Sequence, residues 1–487
     1  MGRGGARRIP AHDSNSKERD HPAGVVSSGE SALEDSAVSS ETDALARRFP
    51  PGFAWGAATA AYQVEGSTGV DGRGPSIWDT FSHTPGRTRN GETGDVACDH
   101  YRRWRDDVDL MAELGLGAYR FSVAWPRIQP EANGRVNEAG LDFYDRLVDA
   151  LLERGIDPYL TLYHWDLPQA LEALGGWRNP GIVARFAEYA SIVGRRLGDR
   201  VRHWITLNEP QVFAVLGHAN GVHAPGMHDW RAALTVAHHA HLAHAAASDL
   251  LRRDVPGARI GLALNLVCYE PASDAAEDLA AADRLDGTSN RWFLDPVFGR
   301  GYPADVVRLH GDLLDGIDLS AVGGIRPPDL LGVNYYTREL VTTAEGTLDP
   351  ARATIVRPPR PRSTMGWESY PDGLRLTLER LHRDYAPTSI AITENGSAYP
   401  DLPAVDGAVD DPERTAYLAA HVSAVADARD AGVPVDGYFA WSLLDNYEWA
   451  EGYDQRFGIV RVDFETQRRT IKGSGRWYRE LLAAAGR

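Results

Sequence analysis

Eight short apolar runs recur along the chain, and many of the intervals between them have the length and pattern of amphipathic helices. The runs are "FAWGAA", "YRFSVAW", "DPYLTLYHW", "HWITLNEP", "RIGLALNL", "LLGVNYY", "SIAITENG" and "VDGYFAWSLLD", beginning at Phe53, Tyr119, Asp157, His203, Arg259, Leu330, Ser389 and Val435. The interval "DHYRRWRDDVDLMAELGL" sets Trp104, Val108, Met111 and Leu114 near one helical face. "EAGLDFYDRLVDALLERG" does the same with Leu141, Tyr144, Leu147, Leu151 and Leu152, then stops at Gly155. Apolar strands alternating with such helices make parallel βαβ units. Eight of them close into a (β/α)8 TIM barrel, an α/β fold in a single domain. A doubly wound open sheet is the alternative, but no Gly-rich phosphate turn follows the first run. The "GRGGAR" near the N-terminus follows no strand. The 487 residues exceed the about 250 of a minimal barrel, so the intervals 266–328 and 337–388 are expected to hold long βα loops.

Residues 1–48 differ from the rest. They are rich in Ser, Gly and charge, and read as a disordered polar extension, with the catalytic body over 49–487. The first 50 residues hold seven basic and eight acidic side chains, so nearly all of the −17 formal charge falls on the body. An acidic body disfavours nucleic acid and anionic membranes as partners, and it mildly disfavours phosphorylated substrates. No apolar run is long enough to span a bilayer, and no apolar stretch follows the charged N-terminus as in a signal peptide. The two cysteines, Cys98 and Cys268, exclude a disulfide framework and read as free thiols in a reducing, cytoplasmic setting.

In a barrel of this kind the chemistry sits at the carboxyl ends of the strands. Gln63 and Glu65 follow the first run, Arg120 lies within the second and Trp125 ends it. His164-Trp165-Asp166 end the third, Asn208-Glu209-Pro210 the fourth, and Asn265 lies on the fifth. Asn334 and Tyr336 close the sixth, Glu394-Asn395 the seventh, and Trp441, Asp445, Asn446, Glu448 and Trp449 come with the eighth. Amides and carboxylates bind hydroxyls, and Trp offers a flat apolar face. The set suits a polyhydroxylated, uncharged ring rather than a metal or a nucleotide; no metal and no cofactor is expected. Two glutamates, Glu209 and Glu394, end strands of apolar and β-branched residues, so both should be partly desolvated. Paired carboxylates flanking one bond are what glycoside hydrolysis requires, one protonated and one ionised. Arg120 and Tyr336 are the candidates to keep Glu394 ionised. Glu209 has no neighbouring cation in sequence and reads as the acid.

These pieces together resemble the β-glucosidases of glycoside hydrolase family 1 over about residues 49–484. "FAWGAATAAYQVEG", "YRFSVAWPRI", "TLYHWDLPQAL", "TLNEP", "GVNYYTRE", "ITENG" and "WSLLDNYEWAEGYDQRFG" look like the family's motifs, in its order. The resemblance implies a retaining β-glucosidase acting on β-glucosides and cello-oligosaccharides, with Glu209 as general acid/base and Glu394 as nucleophile. It implies that Gln63, His164, Asn208 and Glu448 bind the sugar's hydroxyls, that Trp449 adds an indole N–H and that Trp441 stacks beneath the ring. Asn334 and Tyr336 would orient the nucleophile, with Tyr336 donating to Glu394, and Trp367 in "TMGWESYPDGL" would line the aglycone side. A carboxylate at Glu448 would repel a phosphate, which favours an unphosphorylated glucoside, galactoside or fucoside. The chain departs from the family pattern at Gln211, where Trp is common, and at His218, where Tyr is common; both bear on aglycone preference.

The helical stretch "AHHAHLAHAA" spaces His238, His241 and His244 by three residues, but without an acidic ligand in pattern it reads as packing or surface rather than metal. "VRPPRPRS" reads as a solvated loop. Two rival functions remain: a non-catalytic sugar-binding barrel, which the presence of both glutamates opposes, and a transglycosylating enzyme using the same pair. The oligomeric state stays open, a homo-oligomer included.

Overall fold

All eight runs become strands of one sheet in the computed structural model, which describes residues 40–347 and 349–486. They are β1 (Ala54–Ala58), β2 (Ala118–Ser122), β3 (Asp157–Tyr163), β4 (His203–Asn208), β5 (Arg259–Asn265), β6 (Leu330–Asn334), β7 (Ile390–Asn395) and β8 (Val435–Trp441). Every neighbour pair is parallel, and the sheet closes because β1 pairs with both β2 and β8. Ala58 faces Arg120 on one side and Trp441 on the other. Apolar residues on both strand faces are what a sheet walled by helices and filled within requires. Inside the barrel Gly56 makes room for Phe439, whose ring would lie 2.5 Å from any Cβ placed there.

The helices lie outside. In α1 (His100–Glu113) Trp104, Val108 and Met111 are buried, as the spacing predicts. In α2 (Glu138–Glu153) Leu141, Tyr144, Leu147 and Leu151 face the barrel, but Leu152 is 39% exposed. It lies one residue, about 100°, round the helix from Leu151, so both cannot face one stripe. Helices α3 (Ile182–Leu197), α4 (Trp230–Asp254), α5 (Pro371–Tyr385), α6 (Pro412–Asp430) and α7 (Gly473–Ala484) continue the ring. The long interval after β5 and the one after β6 combine into a separate three-stranded sheet of Cys268–Pro271, Arg338–Thr343 and Ala353–Val356.

Two boundaries move. The polar extension was expected to run to residue 48, but residues 40–46 are helical, with Thr42 and Ala46 buried. Arg48 reaches Asp427 at 2.7 Å and Asp430 at 2.5 Å, which pins this segment to α6. Residues 1–39 of the extension lie outside the described residues. Trp125 does not end β2. The strand stops at Ser122, and Trp125 opens a short helix with Pro126 in its first turn, buried and stacked on Tyr189 at 4.7 Å. Among the described residues no helix is long and apolar enough to cross a membrane. Cys98 is buried, Cys268 half-buried, and neither is bonded to the other.

Candidate active site

Glu209 stands where β4 turns into the helix Pro210–Ala214. Its backbone is left-handed (φ +47°), and Pro210 starts the helix at a position that needs no N–H. Trp165 (φ +77°) and Trp449 (φ +52°) share this rare conformation. Three strained non-glycine residues beyond the carboxyl ends of β3, β4 and β8 mark a site that the surrounding fold over-determines. Glu394 lies within β7, opposite Asn334 of β6. Gly396, two residues on, presses against the backbone of Trp441; a Cβ there would sit 1.7 Å from that carbonyl oxygen. "ENG" is therefore a packing requirement as well as a chemical one.

One hydrogen-bond network joins the two glutamates. Arg120, fully buried, donates to Glu394 Oε1 at 2.5 Å through Nη1 and to Asn208 Oδ1 at 2.6 Å through Nη2. The Tyr336 hydroxyl donates to Glu394 Oε2 at 2.6 Å. Asn334 Nδ2 donates to Glu209 Oε1 at 2.7 Å and to Asn208 Oδ1 at 3.1 Å, and the same side chain reaches Glu394. Both carboxyl groups thus border one amide side chain. The sequence sets Asn334 beside Glu394; its 2.7 Å bond is to Glu209. Thr393 and Thr161, which the sequence reading passed over, orient the network through Asn334 Oδ1 (2.6 Å) and Arg120 Nε (3.1 Å). Nothing in a threonine within an apolar strand signals this.

The environments of the two glutamates differ as acid and nucleophile must. Burial, then the negative charge of Glu394, push the Glu209 carboxyl well above the usual range. Burial also raises Glu394, but Arg120 and the Tyr336 hydroxyl oppose it and favour the anion. Arg120 is the cation on Glu394, and among the described residues no cation bonds Glu209. Glu209 is accordingly the group that holds a proton.

The residues expected to hold the sugar form an adjoining wall. Gln63 Nε2 donates to Asn446 Oδ1 (3.0 Å) and Glu448 Oε2 (3.2 Å), which ties the loop after β1 to the loop after β8. Burial and the charge of Glu394 raise Glu448 to about 8, with Gln63 opposing. Asn208 Oδ1 already accepts twice, so its Nδ2 donates to His164 Nε2 at 2.9 Å and leaves the imidazole proton on Nδ1. Burial and then Arg120 hold His164 neutral. His164 Nδ1 and Gln63 Oε1 are both buried and unbonded among the described residues. One spare donor and one spare acceptor in a wall of amides are the complement of a hydroxylated ligand. The rings of Trp441 and Trp449 lie 6.0 Å from His164, and Trp367 packs on Tyr336 at 5.2 Å. Trp165, absent from the predicted set, joins them at 4.6 Å from Trp449 and donates to Asn208 O at 2.9 Å. Its place beside His164 was the available signal.

All twelve residues predicted for the site lie within this one connected cluster. Other strand-end residues serve elsewhere. Glu65 bonds Arg127 (2.6 Å) and Tyr144 (2.6 Å), and the Asn265 carbonyl accepts from Gln211. The histidine run faces inward rather than outward. His238 and His241 bond the Tyr302 hydroxyl and His244 bonds Thr206, and no cluster of metal ligands occurs among the described residues.

The family model for glycosyl hydrolase family 1 matches residues 45–487. The chain belongs to this family. It is 48% identical over 442 residues to Beta-glucosidase A of Thermotoga maritima, covering 90% of this chain and 99% of the relative. It is 45% identical over 460 residues to a Bifunctional beta-D-glucosidase/beta-D-fucosidase of Bifidobacterium breve, covering 89% and 98%. The solved family 1 β-glucosidase of Thermotoga maritima in complex with isofagomine lactam superposes with a TM-score of 0.87 at 47% identity, covering 90% and 99%.

Proposed function

We infer that this protein is a retaining β-glucosidase that cleaves terminal β-D-glucosyl residues from β-glucosides and cello-oligosaccharides. One observation carries the reading: two buried glutamates border one amide side chain, and only one of them is paired with a cation. Retention calls for carboxyl groups about 5–5.5 Å apart, which leaves no room for the water that inversion needs between carboxylate and sugar.

Glu394 Oε attacks the anomeric carbon while Glu209 gives its proton to the departing oxygen, forming a glycosyl ester. Esterification removes the Glu394 charge. That charge helps hold the Glu209 proton, so Glu209 becomes a stronger acid once it is gone. It can then take a proton from water, which opens the ester with overall retention. Gln63, His164, Asn208 and Glu448 hold the hydroxyls, Trp441 and Trp449 wall the ring, and Trp367 lies toward the leaving group. By the family resemblance Glu448 lies toward the sugar's C6 and, when ionised, repels a 6-phosphate, while leaving glucosides, galactosides and fucosides admissible. Gln211 and His218 replace aromatic side chains beyond Glu209 and tune the leaving group accepted. The unpaired thiols Cys98 and Cys268 support a reducing, cytoplasmic compartment.

The test follows the product of an aryl β-glucoside by NMR in a Glu209→Ala series. A first-formed β-anomer supports the reading. So does a loss of about 10²–10⁴ on poor leaving groups with little loss on dinitrophenyl glucoside. A first-formed α-anomer, or equal losses on all leaving groups, contradicts it.

A further inference from the structure

Behind the sugar wall lies a charge cluster that the chemistry above does not use. Asp401, Asp411, Asp445, Arg414 and Lys472 are at most 6% exposed, and Arg456 closes the set with a half-buried side chain. Three anions meet three cations, so the cluster is neutral. Lys472 Nζ, at the foot of α7, bonds Asp445 Oδ1 at 2.6 Å and also Asp401. Arg414 on α6 forks onto Asp401 at 3.0 and 3.1 Å and also bonds Asp411. Arg456 Nη1 bonds Asp445 Oδ2 at 2.9 Å.

Its members sit on both loops that carry the site. Asp401 and Asp411 lie in the segment that leaves Glu394, and Arg414 Nε also holds the Ser397 carbonyl at 3.1 Å. One turn along α6, the Tyr417 hydroxyl holds the Tyr336 carbonyl at 2.8 Å, and Tyr336 bonds Glu394. Asp445 directly precedes Asn446, which accepts from Gln63; Gln63 in turn holds Glu448. Gly458 N–H closes the same loop onto Asp445 Oδ1 at 3.0 Å. A buried ion pair gains little stability over apolar packing of the same volume. What six mutually bonded charges do supply is a fixed geometry between the segments that carry them.

We propose that Lys472 is a positioning residue for glycone selection, which through Asp445 and Asp401 sets the place of the Gln63–Glu448 wall relative to the nucleophile Glu394. The inference rests on the glycosidase reading of the site. Lys472 touches no substrate. Its loss would let the loop after β8 shift as a unit, and a displacement of about 1 Å at a binding group costs up to about 100-fold in rate.

The experiment compares kcat/KM for 4-nitrophenyl β-D-glucoside with the β-D-xyloside, which lacks the hydroxymethyl group that the glycosidase reading sets against Glu448. Lys472→Met should lower the glucoside value about ten- to hundredfold and the xyloside value less than about threefold, collapsing the ratio. Parallel loss on both glycosides, or no loss on either, overturns the proposal. Should Lys472→Met fail to fold, Arg456→Gln decides, since its side chain is half-buried. A fall in the glucoside-to-xyloside ratio supports the proposal and an unchanged ratio overturns it. Absence of turnover by the unsubstituted chain would instead defeat the glycosidase reading itself.

Discussion

Replacing Tyr336 with Phe removes one hydroxyl and little volume, and it isolates what holds Glu394 ionised. The hydroxyl donates to Glu394 Oε2 at 2.6 Å, in a site where the carboxylate is 3% exposed. A hydrogen bond to a buried charge is worth about 1.5–3 kcal/mol. Burial already raises the Glu394 carboxyl, and Tyr336 works against that rise together with Arg120. In Tyr336→Phe the carboxyl therefore moves further up. Glu394 must be ionised to attack, so activity is lost as pH falls through a higher value than in the parent, and the acid limb of kcat/KM moves toward neutral pH. The energy above corresponds to a loss of about 10- to 150-fold on the acid side, shrinking as pH rises. The assay is the pH profile of kcat/KM on an aryl β-glucoside, with the active fraction titrated by a mechanism-based inactivator. An acid limb that stays in place, or a loss of equal size at every pH, would refute the assignment of the hydroxyl to the ionised nucleophile.

Other expectations follow from the same geometry. In Glu394→Gln the charge that helps raise Glu209 is gone, so the Glu209 carboxyl should titrate lower, as read by carbon-13 NMR of labelled glutamate; an unchanged titration would mean that burial alone sets it. Glu448→Gln should narrow the preference for glucoside over 6-phosphoglucoside, measured as a ratio of kcat/KM, and do so most above pH 8, where the Glu448 carboxyl, raised to about 8, is ionised and repels phosphate. Phe49→Ala empties a buried ring that packs 4.7 Å from both Phe53 and Trp55, far from the site. It should cost about 3–5 kcal/mol in thermal or denaturant unfolding while kcat holds.

The barrel was legible because its signal is redundant: eight apolar runs separated by helix-length stretches admit few closures, and each run is one strand of the sheet. Glu209 and Glu394 were legible for a related reason, since a carboxylate at the end of an apolar strand is conspicuous. What holds them was less so. The pairing of Asn334 with both glutamates depends on the register of β6 against β7, which places Asn334 opposite Glu394. Thr161 and Thr393 look like ordinary strand residues until that register brings their hydroxyls to Arg120 and Asn334. The helix over 40–46 was missed because it is short and lacks aromatic residues. Its anchors, Asp427 and Asp430, lie on α6 at the far end of the chain.

The bond from Gln63 to Asn446 joins residues 383 positions apart, across the seam where the first strand meets the last. Such a contact is among the most non-local a single chain can make, and it forms only after nearly all loop-closure entropy has been met. During synthesis the residues of the acid, and later of the nucleophile, emerge before the final barrel strand does, yet no sugar can be gripped until that strand closes the ring. Glucoside turnover is thus an end-point reporter of complete folding. Two fragments cut between β7 and β8 should each be silent and should regain activity only on reassociation, which makes the seam a natural place to split the enzyme into a complementation pair.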